Sequence, residues 1–475
     1  MNRREEESNL DWFNRYVMND IPIRLIRLSD MRFVGRNDLR MYFQSSVPQT
    51  AHNYHPSNTL EYAILSHRWL GEGEPTYEQI KSGTASVASR GYEKLQFFCD
   101  KARAYNVQFA WSDTCCINKS SSTELDESIR SMFRWYKNST VCIVHLAQSE
   151  TIGDIPDDEW TQRGWTLQEL LASRKIKLFN QRWKPMTGDT NDKSRRGTEL
   201  MKTLEAATGI PLDSLLKFRP GPVRVDERMT WAARRKTTRV EDVAYSLMGI
   251  FDVSLQIAYG EGEDRAFCRL IEAIMQTGNP SVLNWTGEAA MHCSSDAFPR
   301  SPQSFAGRTL QLPPSLGRLE MTMTSLGLRV PLVILPLSIC STSELYESGY
   351  YEVILECVLY PTIKINFVGS SDNYRQQFAL GIVNYSLGSC GLPRIPGKSA
   401  GFILQRGLED TILPHGVYQP SSGGCVGLEI VSPPECEFVQ WKKVYRTGLV
   451  EVNFPNIPRD LLFYIDRKYL ETVYL

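Results

Sequence analysis

Short apolar runs that end in polar residues recur through the first third of the chain, separated by stretches with three- and four-residue apolar spacing. Tyr62 to Ser66, Val107 to Trp111, Thr140 to Leu146 and Lys175 to Phe179 read as short buried strands. Between them, Tyr92 to Ala104 places Leu95, Phe98, Cys99 and Ala102 on one helical face. A polar start at Thr123-Glu124-Leu125-Asp126-Glu127 opens a second helix, whose apolar stripe is Leu125, Ile129, Met132, Phe133 and Tyr136. A third helix opens at Gly164-Trp165-Thr166. Strands alternating with helices predict a parallel sheet covered on both faces, with its site at the C-terminal strand ends. Ahead of this, residues 1–20 read as a charged leader or a short helix. Ile21 to Leu28 alternates apolar and basic residues after Pro22, as an edge strand does.

Beyond the last strand the pattern changes twice. Residues 186–290 are helical in character, with helical periodicity over Val240 to Phe251 and Asp264 to Met275 and a turn at Gly260-Glu261-Gly262. A Ser- and Pro-rich stretch, 291–304, reads as a linker. From 305 the chain is β-patterned: Leu328 to Leu335, Tyr351 to Tyr360, Gln377 to Tyr385, Cys425 to Ile430 and Trp441 to Val452. The expected organisation is a leader (1–20), an α/β domain (21–185), its helical extension (186–290), the linker, and an all-β, sandwich-like domain (305–475).

Composition narrows the function. The 475 residues are 42% hydrophobic and 23% charged with a net charge of −1, so no global field recruits nucleic acid. No apolar run reaches the roughly 18 residues of a membrane span, and the charged N-terminus is not a secretory signal. Eleven cysteines without a Cys-x-x-Cys pair read as reduced thiols of a cytoplasmic protein. Six histidines form no cluster with zinc spacing, and no phosphate-binding Gly-rich loop is present, so no metal or cofactor is expected to be required.

Three segments carry the chemistry: Tyr62-Ala63-Ile64-Leu65-Ser66-His67-Arg68-Trp69, Trp111-Ser112-Asp113-Thr114-Cys115-Cys116-Ile117-Asn118, and Arg163-Gly164-Trp165-Thr166-Leu167-Gln168-Glu169-Leu170. They resemble the three signature blocks of the fungal heterokaryon incompatibility (HET) domain. The helix Glu124 to Tyr136 and the segment Arg239 to Phe251 with Tyr259-Gly260-Glu261-Gly262 add to the likeness, which covers roughly residues 55–285. The resemblance implies a fungal protein of non-self recognition and programmed cell death, akin to innate immunity. It acts with itself or with other incompatibility-pathway proteins.

The strand and helix order, ending in Trp-x-x-x-Glu, is also similar to that of TIR domains, which implies a TIR/flavodoxin-like sheet. Enzymatic TIR domains cleave the nicotinamide–ribose bond of NAD, and Trp165 and Glu169 stand where those enzymes place their Trp and catalytic Glu. Thr166 stands where the TIR motif usually has Cys. Under this reading NAD is a substrate, and Glu169 stabilises the positive charge that builds on the ribose. Arg68 or Arg163 holds the diphosphate, Trp69 or Trp165 stacks on a base, and Ser66 and Asp113 are polar groups at strand ends. The same residues have structural readings: Trp165 as core, Glu169 as partner of Arg68 or Arg163, Asp113 as a helix cap, and Cys115 and Cys116 as buried small apolar groups. His67 is a further candidate base. The alternative function is a non-enzymatic signalling adaptor acting by oligomerisation and partner recruitment.

Overall fold

The computed structural model describes residues 8–49, 53–291, 297–308, 310–312, 317–345, 350–370, 376–407, 441–444 and 448–475. The chain divides into two compact units, Met1–Pro222 with Glu227–Ala273, and Val223–Asp226 with Ile274–Leu475.

The first unit opens with α1 (Asn9–Asn19), capped by the Ser8 hydroxyl and burying Phe13, Tyr16 and Val17. Residues 9–19 are thus the short helix of the two alternatives for this stretch. A hairpin of β1 (Arg24–Arg27) and β2 (Arg32–Gly35) follows, then α2 (Arg36–Phe43), β3 (Tyr62–His67), α3 (Tyr77–Ser82), α4 (Arg90–Arg103) and β4 (Phe109–Trp111). Next come α5 (Ser122–Asn138), β5 (Val141–His145), α6 (Glu159–Gln162), α7 (Gly164–Ala172) and β6 (Ile176–Phe179). The sheet order is β2-β1-β4-β3-β5-β6. β4, β3, β5 and β6 run parallel, as the alternation of strands and helices predicts.

The sheet is nevertheless mixed. β1 is not an edge strand: it lies antiparallel between β2 and β4, and β2 is the edge. The pattern misleads here because β2 is four residues long and half polar, so it leaves almost no apolar signal. Leu25 and Ile26 are both fully buried, as befits an interior strand rather than an edge.

β3 is the central parallel strand, and all six of its residues are buried, polar Ser66 and His67 included. Those two sit at its C-terminal end beside Val144 and His145 of β5. α5 packs its predicted stripe inward, burying Ile129, Met132, Phe133, Trp135 and Tyr136. Full burial of such side chains is worth roughly 1.5–3 kcal/mol each. The helical region after β6 holds Glu199–Thr208, Leu212–Lys217, Val225–Ala232, Asp242–Tyr245, Met248–Phe251 and Glu263–Met275. The single helix expected over Val240 to Phe251 is two short ones, because Ser246 and Leu247 tighten to ψ −14° and interrupt the ladder.

Beyond Met275 the second unit holds only β-strands and short 3₁₀ turns as regular elements among its described residues. Nine strands form one sheet, every pair of them antiparallel, and three more form a small sheet. The expected strands at 328, 351 and 377 are Gly327–Leu345, Tyr350–Cys357 and Gln376–Ile382. Trp441 to Val452 holds only the pair Lys442–Lys443 and the start of Val450–Asn453 among the described residues. The expected strand Cys425 to Ile430 lies outside the described residues. Lys364–Ser370 and Lys398–Gly407 are strands that the pattern missed, the latter because its Ser-Ala-Gly start has low β propensity.

One close approach joins two helices of the first unit. A Cβ on Gly249 would lie 2.2 Å from Cβ of Phe133, so the Met248–Phe251 helix meets α5 at a position where only hydrogen fits. Gly249→Ala is expected to lower unfolding stability by about 1–3 kcal/mol through overpacking. A urea-denaturation midpoint equal to wild type would contradict this contact.

Candidate active site

The three signature segments converge at the C-terminal ends of β3 and β4. Leu65 to Trp69 supplies the end of β3, Asp113 follows β4, and α7 brings Arg163 to Glu169 across them. Between them lies a cavity of about 190 Å³. His67, Asp113 and Glu169 line it, with Trp69 and Trp165 as aromatic walls and Ile117, Leu125, Ile129 and Met132 as an apolar side. Arg163, Lys119, Lys236, Thr237, Thr238, Arg239, Asp242 and Tyr259 complete it. A larger groove of about 500 Å³ runs along α5 past Arg130, Arg134 and Asp252, but no buried ionisable group lines it.

Glu169 is 4% exposed. Its Oε2 accepts a short hydrogen bond from Ser66 Oγ, which in turn accepts from Trp160 Nε1 at 2.8 Å. Burial and the nearby Asp113 charge push its carboxyl up to about 8, against the Ser66 hydrogen bond, Arg163 and Tyr136. Asp113 goes the other way. Burial would raise it, but the hydrogen bonds from His67 and Trp69 and the Lys119 charge hold it below the ordinary carboxylate range. Its Oδ1 lies 3.0 Å from His67 Nε2, and its Oδ2 accepts from Trp69 Nε1 at 2.8 Å. Burial and Lys94 keep His67 below its usual range, so it bonds Asp113 as a neutral ring donating from Nε2. Its buried Nδ1 has no partner among the described residues. At neutral pH Asp113 is therefore ionised while Glu169 keeps its proton, the separation that assigns distinct acid–base roles.

The walls are fixed by their own polar tips. Trp165 Nε1 donates to Asp242 Oδ2 at 3.0 Å, and Tyr259 Oη donates to Asp242 Oδ1 at 2.9 Å. Tyr259 is presented by a turn in which Gly260 and Gly262 have φ of +100° and +87° and donate to Glu241 Oε1. Those φ values favour glycine. α7 is locked to the segment after residue 235 by Gly164 N–H to Lys236 O (2.8 Å) and Lys236 N–H to Gln162 O (2.7 Å). A Cβ on Gly164 would lie 2.5 Å from Cγ2 of Thr237, so the glycine of this motif serves close approach. Arg235 braces the start of α7, donating to Arg163 O (2.8 Å) and Thr166 Oγ1 (3.0 Å).

Of the residues singled out in the sequence, Trp69, Asp113, Arg163, Trp165 and Glu169 line the cavity. Ser66 is fully buried behind it as the partner of Glu169. Arg68 does not line it: its guanidinium pairs with Glu159 at 2.6 Å. Cys115 and Cys116 are buried, as the reading of both as small apolar groups expects, and burial raises the Cys116 thiol. Sequence reading missed Lys119, Lys236, Thr237, Thr238 and Arg239 as cavity residues. Asp242 and Tyr259 stand in recognised blocks, but their role as the brace of Trp165 depends on a contact across 77 positions. Among the described residues, no group of three or more His, Cys, Asp or Glu could hold a metal ion. Nor is any described helix long and apolar enough to cross a membrane.

An α/β unit with a mixed sheet and a buried carboxyl at the end of its central parallel strand is the class that fold and site define. Residues 62–154 match the family model described as heterokaryon incompatibility protein (HET). The vegetative incompatibility protein HET-E-1 of Podospora anserina is 44% identical over 225 residues, which cover 45% of this chain and 16% of that protein. Residues 62–154 are thus similar to a heterokaryon incompatibility domain, and the chain spans about a sixth of the relative's length. No solved structure matches.

The Glu169 environment predicts a pH signature. A carboxyl whose folded value is about 8, against an ordinary 4.5, stabilises nothing by ionising. Relative to acid, the fold loses stability as pH rises from about 4.5 to about 8, where the loss levels off. Glu169→Gln keeps the shape without that proton. Its Tm is expected to match wild type near pH 4.5 and to exceed it increasingly up to pH 8. A Tm difference independent of pH would contradict the burial of an ionisable carboxyl here.

Proposed function

We propose that the α/β unit hydrolyses the N-glycosidic bond between nicotinamide and ribose in NAD, and that this activity serves vegetative incompatibility and programmed cell death in a fungal cytoplasm. The observation that carries the reading is the buried Glu169 carboxyl, raised to about 8, in a small cavity walled by Trp69 and Trp165. Parallel strands β4-β3-β5-β6, with Trp165 and Glu169 on the helix preceding β6, support a TIR-like ancestry for this site. The name of the Podospora anserina relative supports the biological setting.

The pyridinium of NAD carries a positive charge. Brought against Glu169 between the two indoles, it favours the carboxylate and draws off the carboxyl proton. The C1′–N bond then breaks with its electron pair going to the ring nitrogen, which leaves as neutral nicotinamide. The carboxylate stabilises the oxocarbenium-like ribose. Water adds to C1′ and gives its proton to Glu169, whose raised affinity suits a base working near neutral pH. The products are nicotinamide, ADP-ribose and one proton. Ionised Asp113 holds Trp69 and adds negative potential to the cavity.

Purified full-length chain is expected to release nicotinamide from NAD, with kcat/KM rising with pH and levelling above about 8 as Glu169 ionises in the free protein. Glu169→Gln is expected to reduce the rate by about 10²–10³-fold while remaining folded. Equal turnover by wild type and variant would remove Glu169 from the mechanism. No turnover by either, in folded and assembled protein, would leave the non-enzymatic adaptor.

A further inference from the structure

The mouth of the Glu169 cavity is cationic. Lys119, Lys236 and Arg239 are exposed there and Arg163 is half-buried, and all four line the same space. None of them makes an ion pair among the described residues. Two of these cations are nonetheless held in place. Lys119 Nζ sits 3.9 Å from the ring centre of Trp69, and the Arg239 guanidinium 4.0 Å from that of Tyr259, each lying over an aromatic wall. Lys236 is tied by its backbone to Gln162 and Gly164, in a parallel bridge with Arg163. The oxygens of the acidic groups are taken up by other donors, so none pairs directly with the rim: Asp113 accepts from His67 and Trp69, Asp242 from Trp165 and Tyr259, and Glu169 from Ser66. Thr237 and Thr238, between Lys236 and Arg239, add hydroxyl donors.

Size separates the mouth from the interior. A cavity of about 190 Å³ falls below the roughly 300–1,000 Å³ of an ordinary small-molecule cleft. It takes the nicotinamide end of a dinucleotide and leaves the phosphates at the opening. Arg68, the other candidate for a phosphate ligand, is committed to Glu159 away from the cavity. We infer that Lys119, Lys236 and Arg239, flanked by Arg163, form the subsite for the diphosphate of the dinucleotide, and that Arg68 takes no part. Guanidinium and ammonium donors without carboxylate partners suit phosphate oxygens, and the Thr237 and Thr238 hydroxyls complete a polar strap beside them. This inference rests on the NAD reading of the site, and binding is measured apart from turnover so that the two can fail separately.

The test is a set of equilibrium-binding titrations on full-length Glu169→Gln protein, which does not consume its ligand. The probes are ADP-ribose and the phosphate-free nicotinamide riboside. Lys119→Ala, Lys236→Ala and Arg239→Ala are each expected to weaken ADP-ribose binding by about tenfold and to leave riboside binding unchanged. Lys236→Arg is expected to restore most of the loss, and Arg68→Ala to bind ADP-ribose as its parent does. The inference is overturned if the triple alanine variant binds ADP-ribose like its parent, if the parent does not bind it at all, or if riboside binding falls in step, which marks damage to the fold. NAD turnover measured in the otherwise wild-type chain separates the readings. Turnover with no dependence on the rim removes the subsite alone, and rim-dependent binding without turnover removes the hydrolase alone.

Discussion

Glu169 is held out of water by the packing of α7 against the end of β3, and the rest of the first unit is arranged around the consequences. A buried carboxyl is costly when ionised, so the protein surrounds it with partners that suit the neutral form and still admit the charged one. Ser66 donates to it from the fully buried central strand, and Trp160 orients Ser66 from α6. The same packing requires the bare backbone of Gly164, where α7 meets the strap that starts at Lys236. Loosening any of these would rehydrate the carboxyl and return it towards an ordinary acid.

Charge in the cavity is divided rather than shared. Asp113 keeps its negative charge because His67 and Trp69 donate to it, while Glu169, with fewer donors and less water, keeps its proton. The indole N–H groups of Trp69 and Trp165 each end on a carboxylate, so both rings are fixed at their edges, with Lys119 over one face of Trp69. Cations occupy the outer side of this arrangement and acids the inner. The resulting gradient suits a ligand that is anionic at one end and cationic at the other.

Much of this was legible in the chain. Buried parallel strands announce themselves as short apolar runs, and β3 to β6 lie where those runs stand. The polar residues at their ends, Ser66, His67 and Asp113, are the ones that meet at the site, because strand ends in such sheets are where backbone gives way to loops. The i to i+4 spacing of Trp165 and Glu169 put them on one face of α7, and both line the cavity. Arg68 misled because it neighbours Ser66 and His67 in sequence, yet its long side chain reaches an exposed partner, Glu159. β1 misled because burial on both sides depended on a second strand too short to be read.

By itself, the sequence determined the alternation of elements, the change to a β-rich second unit and the residue types at the strand ends, because these depend on local periodicity and propensity. Tertiary structure alone decided which of those groups would be buried together. The raised proton affinity of Glu169 exists only because β3, α6 and α7 exclude water at one point. The cationic rim exists only because a strap some seventy residues after α7 begins returns to it, pinned between Arg163 and Lys236. Electrostatic character comes from distance and desolvation, and neither is encoded in the spacing of residues along a chain.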